Sequence, residues 1–196
     1  RGAGVLVIRN TVTDCVATQI ALEQLAGACE KNLLFRCGDV PAPHHSRFAR
    51  RDRRALDEAL ESALGKGRDG GVVVVATQTV QQSLDLDADF MITDLCPMDV
   101  LLQRVGRVHR GQRQRRPGFE VARVLVMTPN GGDLDGCIKE NGEPQGRHGL
   151  GSVYPDLRIL EATRLALKNH RDVCIPEMNR QLVECATHPE ALQRIV

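Results

Sequence analysis

Apolar and polar positions fall in blocks along this chain, and each block predicts an element. Val5-Leu6-Val7-Ile8 is an unbroken apolar run that stops at Arg9-Asn10-Thr11 and predicts a strand. Residues 13–28 carry Val16, Ile20 and a Leu/Ala stripe at helical spacing, and they predict a helix. Residues 32–37 (NLLFRC) predict a second strand, and Gly38-Asp39-Val40-Pro41-Ala42-Pro43 a loop, on its Gly and Pro content. Residues 53–64 place Leu56, Leu60 and Leu64 at i, i+4 and i+8 before a stop at Gly65 and Gly67, the mark of a helix with one buried face. Val72-Val73-Val74-Val75 has no polar alternation, as expected of a central parallel strand covered on both faces. Phe90-Met91-Ile92-Thr93 and residues 121–127 bring the set to about five strands alternating with helices.

That order predicts an α/β fold, a doubly wound parallel sheet with helices on both faces, whose ligands gather at the carboxyl ends of the strands. We expect it to occupy residues 1–128. The pattern then changes. Residues 129–155 are rich in Gly, Pro, Asn and Asp without periodicity and predict a long surface loop. Residues 156–196 return to helical patterns, Leu157/Leu160/Leu165 and then Met178/Leu182/Cys185, divided by Ile175-Pro176. They predict a C-terminal helical extension leading towards an accessory domain not contained here.

Composition narrows the class. With 196 residues and 42% hydrophobic content the chain can bury a core of its own. Lys and Arg number 26 against 25 Asp and Glu, so no global field draws the chain to nucleic acid or membrane, and any basic surface is local. Seven cysteines lack CxxC spacing, which fits reduced, mostly buried thiols in a cytoplasmic protein. No apolar run approaches the roughly 18 residues of a membrane span. The chain opens on Arg1 without an initiator Met, and we expect a processed chain or an excised piece of a longer one.

The densest chemistry lies in residues 72–111. At about 100° per residue, Gln103, Arg107 and Arg110 fall within about 80° of one another, with Leu101, Val105 and Val108 opposite. This helix follows the strand end Asp94-Leu95-Cys96-Pro97, and guanidinium groups there suit a phosphate, which they meet with two parallel hydrogen bonds. After Val75, the side chains of Thr77, Gln78 and Ser83 join exposed backbone N–H groups as donors for phosphate oxygens. Asp85 and Asp87 read either as acceptors for a ribose hydroxyl or as local turn and cap groups. His44 and His45 are adjacent without metal-ligand companions and read as a solvated loop. The basic segments 47–54 and 104–116 keep open a different class of function, a non-catalytic nucleic-acid module or a recruitment domain.

These residues carry a resemblance. ATQTVQQSLDLD followed by QRVGRVHR resembles motifs V and VI of superfamily 2 helicases, and VLVIRNT is similar to the motif IV strand of their second RecA-like domain. RNTV, HSRF followed by DRR, the PMD after the motif V acids, and the tail segments VYPDLRILEATR and IPEMNRQLVE resemble the DExH-type helicase-nuclease of type I CRISPR systems, the effector recruited by the Cascade surveillance complex. The resemblance implies a RecA-like domain of an ATP-dependent DNA helicase that unwinds and degrades foreign DNA in antiviral defence. It implies that Arg107 and Arg110 are catalytic arginine fingers, that Gln103 and Asp85 bind nucleotide, and that Thr77, Gln78, His45, Ser46 and Arg47 contact DNA. It further implies ATP with Mg²⁺ bound jointly with a first RecA-like helicase domain, no metal held by this chain itself, and as partners single-stranded DNA, that first domain, the nuclease domain and Cascade, without a membrane. Gln81 departs from the family pattern, where many relatives carry Glu. The sequence has no GxxxxGK[ST] phosphate loop, no DExH acid pair and no His-Asp nuclease motif, so we expect this chain alone to be inactive.

Overall fold

A computed structural model describes residues 2–27, 30–68, 70–81, 84–129, 132, 134, 136–145, 150 and 153–195. Two compact units emerge, Arg1–Thr93 with Arg104–Val126, and Asp94–Gln103 with Met127–Val196.

The first unit is built on a four-stranded sheet of order β4-β1-β5-β6, where β1 is Gly4–Ile8, β4 is Val72–Ala76, β5 is Phe90–Asp94 and β6 is Arg123–Met127. Strand β1 runs parallel to both β4 and β5, with Leu6 opposite Val74 on one side and Met91 on the other. Successive side chains of a strand point to opposite faces, and that alternation sorts the core. Leu6, Ile8, Val74, Ala76 and Met91 pack with Leu56, Leu60 and Leu64 of helix α2, Arg50–Leu64. Val7 and Val75 pack with Cys15 of helix α1, Val12–Leu25. The sheet therefore has a helix on each face, as the α/β pattern predicts.

Helix α1 starts at Thr11, whose side-chain oxygen accepts from the Asp14 backbone N–H at 3.0 Å, satisfying a donor that the first turn leaves unpaired. It buries Cys15 and Gln19, whereas Ile20 is 50% exposed, so the predicted Val16/Ile20 stripe is not the packing face. Two strand expectations also change. Residues 32–37 hold a 3₁₀ turn (Lys31–Leu33), a single parallel bridge from Leu34 to Val73, and β2 (Arg36–Cys37), which pairs antiparallel with β3 (Val40–Pro41) inside the expected loop. Gly38 lies in the β2–β3 turn at φ +61°, a conformation glycine adopts without cost. The valine run β4 ends the four-stranded sheet, with β1 central. It nonetheless lacks a bare edge, because Phe35 donates to the Val73 carbonyl and His44 to the Val75 carbonyl.

Helix α3, Met98–Val105, belongs in part to each unit. In the second unit α4 (Arg158–Asn169) packs on α5 (Asn179–Thr187) and α6 (Pro189–Gln193). Leu157, Leu160, Ala162, Thr163 and Ala166 are buried, but Leu165 is 38% exposed. On α5 the buried positions are Leu182 and Ala186, and Cys185 faces outward. Within the expected surface loop, Leu134 and Cys137 are buried, and Lys139–Glu143 and Gln145–Cys137 backbone bonds close a small antiparallel turn. No helix among the described residues is long and apolar enough to cross a membrane.

Candidate functional site

The carboxyl end of β4 assembles the first group of residues. His44 donates its backbone N–H to Val75 and accepts at its carbonyl from the Thr77 N–H, so the chain on either side of Ala76 is fixed. Thr77 is buried, with its hydroxyl 3.3 Å from that of Thr79, and its N–H is committed to His44 instead of standing free for a phosphate. Gln78 is exposed at the start of the 3₁₀ turn Gln78–Val80, and Ser46 and Arg47 are exposed on the neighbouring segment. Ser83 lies outside the described residues.

His44 and His45 are both buried, which overturns the reading of a solvated loop. His44 Nε2 lies 2.7 Å from Asp57 Oδ1 on α2, and Nδ1 lies 2.9 Å from the Thr79 hydroxyl. A neutral ring that donates from Nε2 to the carboxylate and accepts at Nδ1 satisfies both contacts. Burial lowers the His44 pKa, the Asp57 hydrogen bond opposes that, and Arg53, itself bonded to Asp57 at 3.2 Å, lowers it further. His45 stacks on Phe48 with ring centroids 4.4 Å apart. Helix α2 then begins with Arg50 and Arg51, positive charge at the end of a helix whose dipole disfavours it.

A second group forms around Arg107 and Arg110, and here the helical wheel fails. Helix α3 ends at Val105, so only Gln103, which is exposed, lies on it. After Gly106 the chain turns, and Val108 forms a parallel bridge to Ala88: Ala88 donates to the Arg107 carbonyl at 2.8 Å and accepts from His109 N–H at 3.0 Å. His109 takes φ +50° to do so. Pairing with a residue twenty positions earlier outweighs continuation of a helix through a glycine. Arg104, by contrast, is fully buried and bonds the Thr93 hydroxyl at 2.7 Å and the Asn10 side-chain oxygen at 3.0 Å.

Arg107 donates through its two terminal nitrogens to the backbone carbonyls of Leu84, at 2.7 Å, and Gln81. Among the described residues no carboxylate pairs with it, and its buried Nε has no hydrogen-bond partner. Burial first, and the charge of Arg110 second, hold its pKa below the usual arginine value. Arg110 is exposed and pairs with Asp85 at 3.1 Å, and Asp85 also meets Lys66 at 2.8 Å. These contacts draw the exposed Asp85 carboxyl below its ordinary value, the Lys66 hydrogen bond most of all.

Asp87 is not a turn cap. It and Asp89 are fully buried and meet Arg113, Arg115 and Arg68 in one network, with Arg115 reaching Asp87 at 2.7 Å and Asp89 at 3.0 Å. The backbone N–H of Gly111 donates to Asp87, and that of Gly4 to Asp89. Burial pushes both carboxyls up, but these donors outweigh it and leave them below the ordinary carboxylate range. The sequence carried a signal for this pairing: acids at 87 and 89 and arginines at 113 and 115 share the i, i+2 spacing of facing extended segments.

The chain is similar to known proteins over most of its length. The CRISPR-associated endonuclease/helicase Cas3 of Escherichia coli (strain K12) is 37% identical over 145 residues, covering 71% of this chain and 15% of that protein. The crystal structure of T. fusca Cas3 matches at a TM-score of 0.76 and 30% identity, covering 98% of this chain and 21% of that one. The same T. fusca protein is also known with ATP, ADP and AMPPNP. A chain of a CRISPR RNA-guided surveillance complex, pre-nicking, matches at 0.65 and 29% identity over 95% of this chain and 22% of that one. This chain thus spans about a fifth or less of the length of such relatives. The family described as CRISPR-associated nuclease/helicase Cas3, C-terminal, matches residues 1–113, more than half of the sequence, and the chain belongs to that Cas3 C-terminal family.

Proposed function

We propose that this chain is the second RecA-like half of an ATP-dependent superfamily 2 DNA helicase, and that Arg107 and Arg110 act as its arginine fingers. The observation that carries the reading is Arg107. A guanidinium held by two neutral carbonyls, with no acid in contact among the described residues, keeps its charge and a second hydrogen on each terminal nitrogen for an anion. Arg110, paired with an exposed acid, can exchange that pair for a phosphate. Gln103 and Asp85 are assigned to the nucleotide, with Asp85 released from Lys66 and Arg110 to accept from a ribose hydroxyl.

In this reading residues 1–128 are the RecA-like domain and 156–196 extend towards an accessory domain. ATP arrives with Mg²⁺ on the phosphate loop and acids of a first helicase domain, so the 196-residue chain by itself hydrolyses none. Gln78, Ser46 and Arg47 contribute exposed groups to a single-stranded DNA path, with His45 and Thr77 shaping it from beneath. The nuclease domain of the same enzyme and a Cascade surveillance complex are the remaining partners, the latter in keeping with the surveillance-complex relative.

The test is DNA-stimulated ATP turnover by the full-length nuclease/helicase. Arg107→Ala and Arg110→Ala are each expected to lower the turnover number by roughly 10³-fold or more, the worth of a finger on a transferring γ-phosphoryl group. Unchanged turnover in both would favour a nucleic-acid module that kept the fold without the motor.

A further inference from the structure

The arginine fingers lie off the helix, on a turn that glycine begins and a positive-φ histidine bends. Turn bonds from the Arg107 and Val108 N–H groups to the Arg104 and Val105 carbonyls carry the chain off the helix, and beyond them the tripeptide Asp87-Ala88-Asp89 holds the segment. Ala88 takes the backbone on both sides of Val108, Asp87 takes the N–H of Gly111 at 3.1 Å, and Asp87 and Asp89 together take the side chains of Arg113 and Arg115. Arg110 therefore sits between two fixed residues, His109 and Gly111, and Arg107 is fixed one residue before the bridge.

We propose that Asp87 is the positioning residue for the arginine fingers, acting through Gly111 and the Arg113/Arg115 pair to hold Arg107 and Arg110 where a nucleotide phosphate meets them. This rests on the finger reading above and adds to it the device that sets their geometry. Three observations single out Asp87 within the network. Its two oxygens bind both the backbone beside Arg110 and the side chains that close the segment. Arg115 in turn bonds the Gly111 carbonyl at 2.7 Å, so carboxylate, arginine and glycine form a closed ring around the residue next to the finger. Gly111 also admits the acid closely: a Cβ there would stand 3.1 Å from Asp87 Oδ2 and 3.1 Å from Lys66 Cγ. Neither acid contacts Arg107 or Arg110, so any influence on the chemistry passes through the backbone.

The experiment uses the full-length nuclease/helicase with Asp87→Asn, Gly111→Ala and Arg110→Ala, measuring kcat and KM for ATP and amide hydrogen exchange across residues 107–115. Asp87→Asn removes the charge, and Gly111→Ala leaves every charge in place while pushing the segment off the acid, so it serves if the first variant fails to fold. In both, kcat is expected to fall by about 10–10²-fold with KM for ATP within about twofold, the signature of a misplaced group that acts in the transition state. Exchange across 107–115 should rise without nucleotide present. Normal kcat in a protein where Arg110→Ala is crippled, a loss confined to KM, or unaltered exchange overturns the positioning role and leaves the fingers standing. If Arg110→Ala itself turns over normally, the finger reading falls and takes this inference with it.

Discussion

His44 Nε2 and Asp57 Oδ1 lie 2.7 Å apart, joining the segment beside β4 to the middle of helix α2. The imidazole is buried and Asp57 is about one-third exposed, so the bond ties a loop histidine to a helix from within the fold. Arg53 on the same carboxylate, Thr79 on the other ring nitrogen and His45 alongside complete its surroundings.

That relationship predicts a pH dependence. The folded pKa of His44 lies below its unfolded value of 6.5, so the folded state holds the neutral ring. The associated stability is fully present above the unfolded value and is lost as pH falls from there towards the folded one. Thermal melts of the protein from neutral to mildly acidic pH should show a falling melting temperature, and His44→Gln should flatten that slope. An equal slope in the variant would remove His44 as the cause.

Arg47 is exposed, and its removal should leave the melting temperature almost unchanged, within about 0.5 kcal/mol of stability. If it meets a DNA phosphate, Arg47→Ala weakens single-stranded DNA binding uniformly across sequences and lowers the salt slope of binding by about 1. Fluorescence titrations at several salt concentrations measure both.

Arg104 and Arg110 lie six residues apart and should behave oppositely. Arg104→Ala removes charged-group hydrogen bonds to Thr93 and Asn10, worth about 1.5–3 kcal/mol each, and leaves a cavity, for an expected loss of about 3 kcal/mol or more. Arg110→Ala loses an exposed ion pair and should cost less than about 1 kcal/mol. Denaturant unfolding of the two variants distinguishes them, with Leu60→Ala as the core reference at about 2–5 kcal/mol.

Cysteine labelling offers an independent check of the packing. Burial pushes the Cys15 thiol up to about 12, so it carries almost no thiolate at mildly alkaline pH. Cys174 and Cys185 are exposed. Brief alkylation followed by peptide mass spectrometry should modify Cys174 and Cys185 and spare Cys15, until denaturant opens the core.

The layering of the first unit was determined by the sequence itself. Leu56, Leu60 and Leu64 repeat at the helical period and Val72-Val73-Val74-Val75 runs without polar interruption, and both are local patterns that burial against any apolar partner satisfies. That Gln78, Ser46, Arg47, Gln103 and Arg110 stay at the surface was also legible, because polar and charged side chains seldom bury without a partner. Only the tertiary structure decided where the arginines point and which charges are buried. A helical wheel assumes that the helix continues, whereas Val108 finds Ala88 and the helix ends first. His44 looks like a loop residue until Asp57 and Thr79, thirteen and thirty-five positions away, fill both its ring nitrogens. Asp87 looks like a turn acid until Arg113 and Arg115 close on it and on Asp89 from more than twenty residues downstream. Periodicity reports neighbours three or four positions apart, whereas the cost of burying a charge is met by whichever partner the folded chain brings to it.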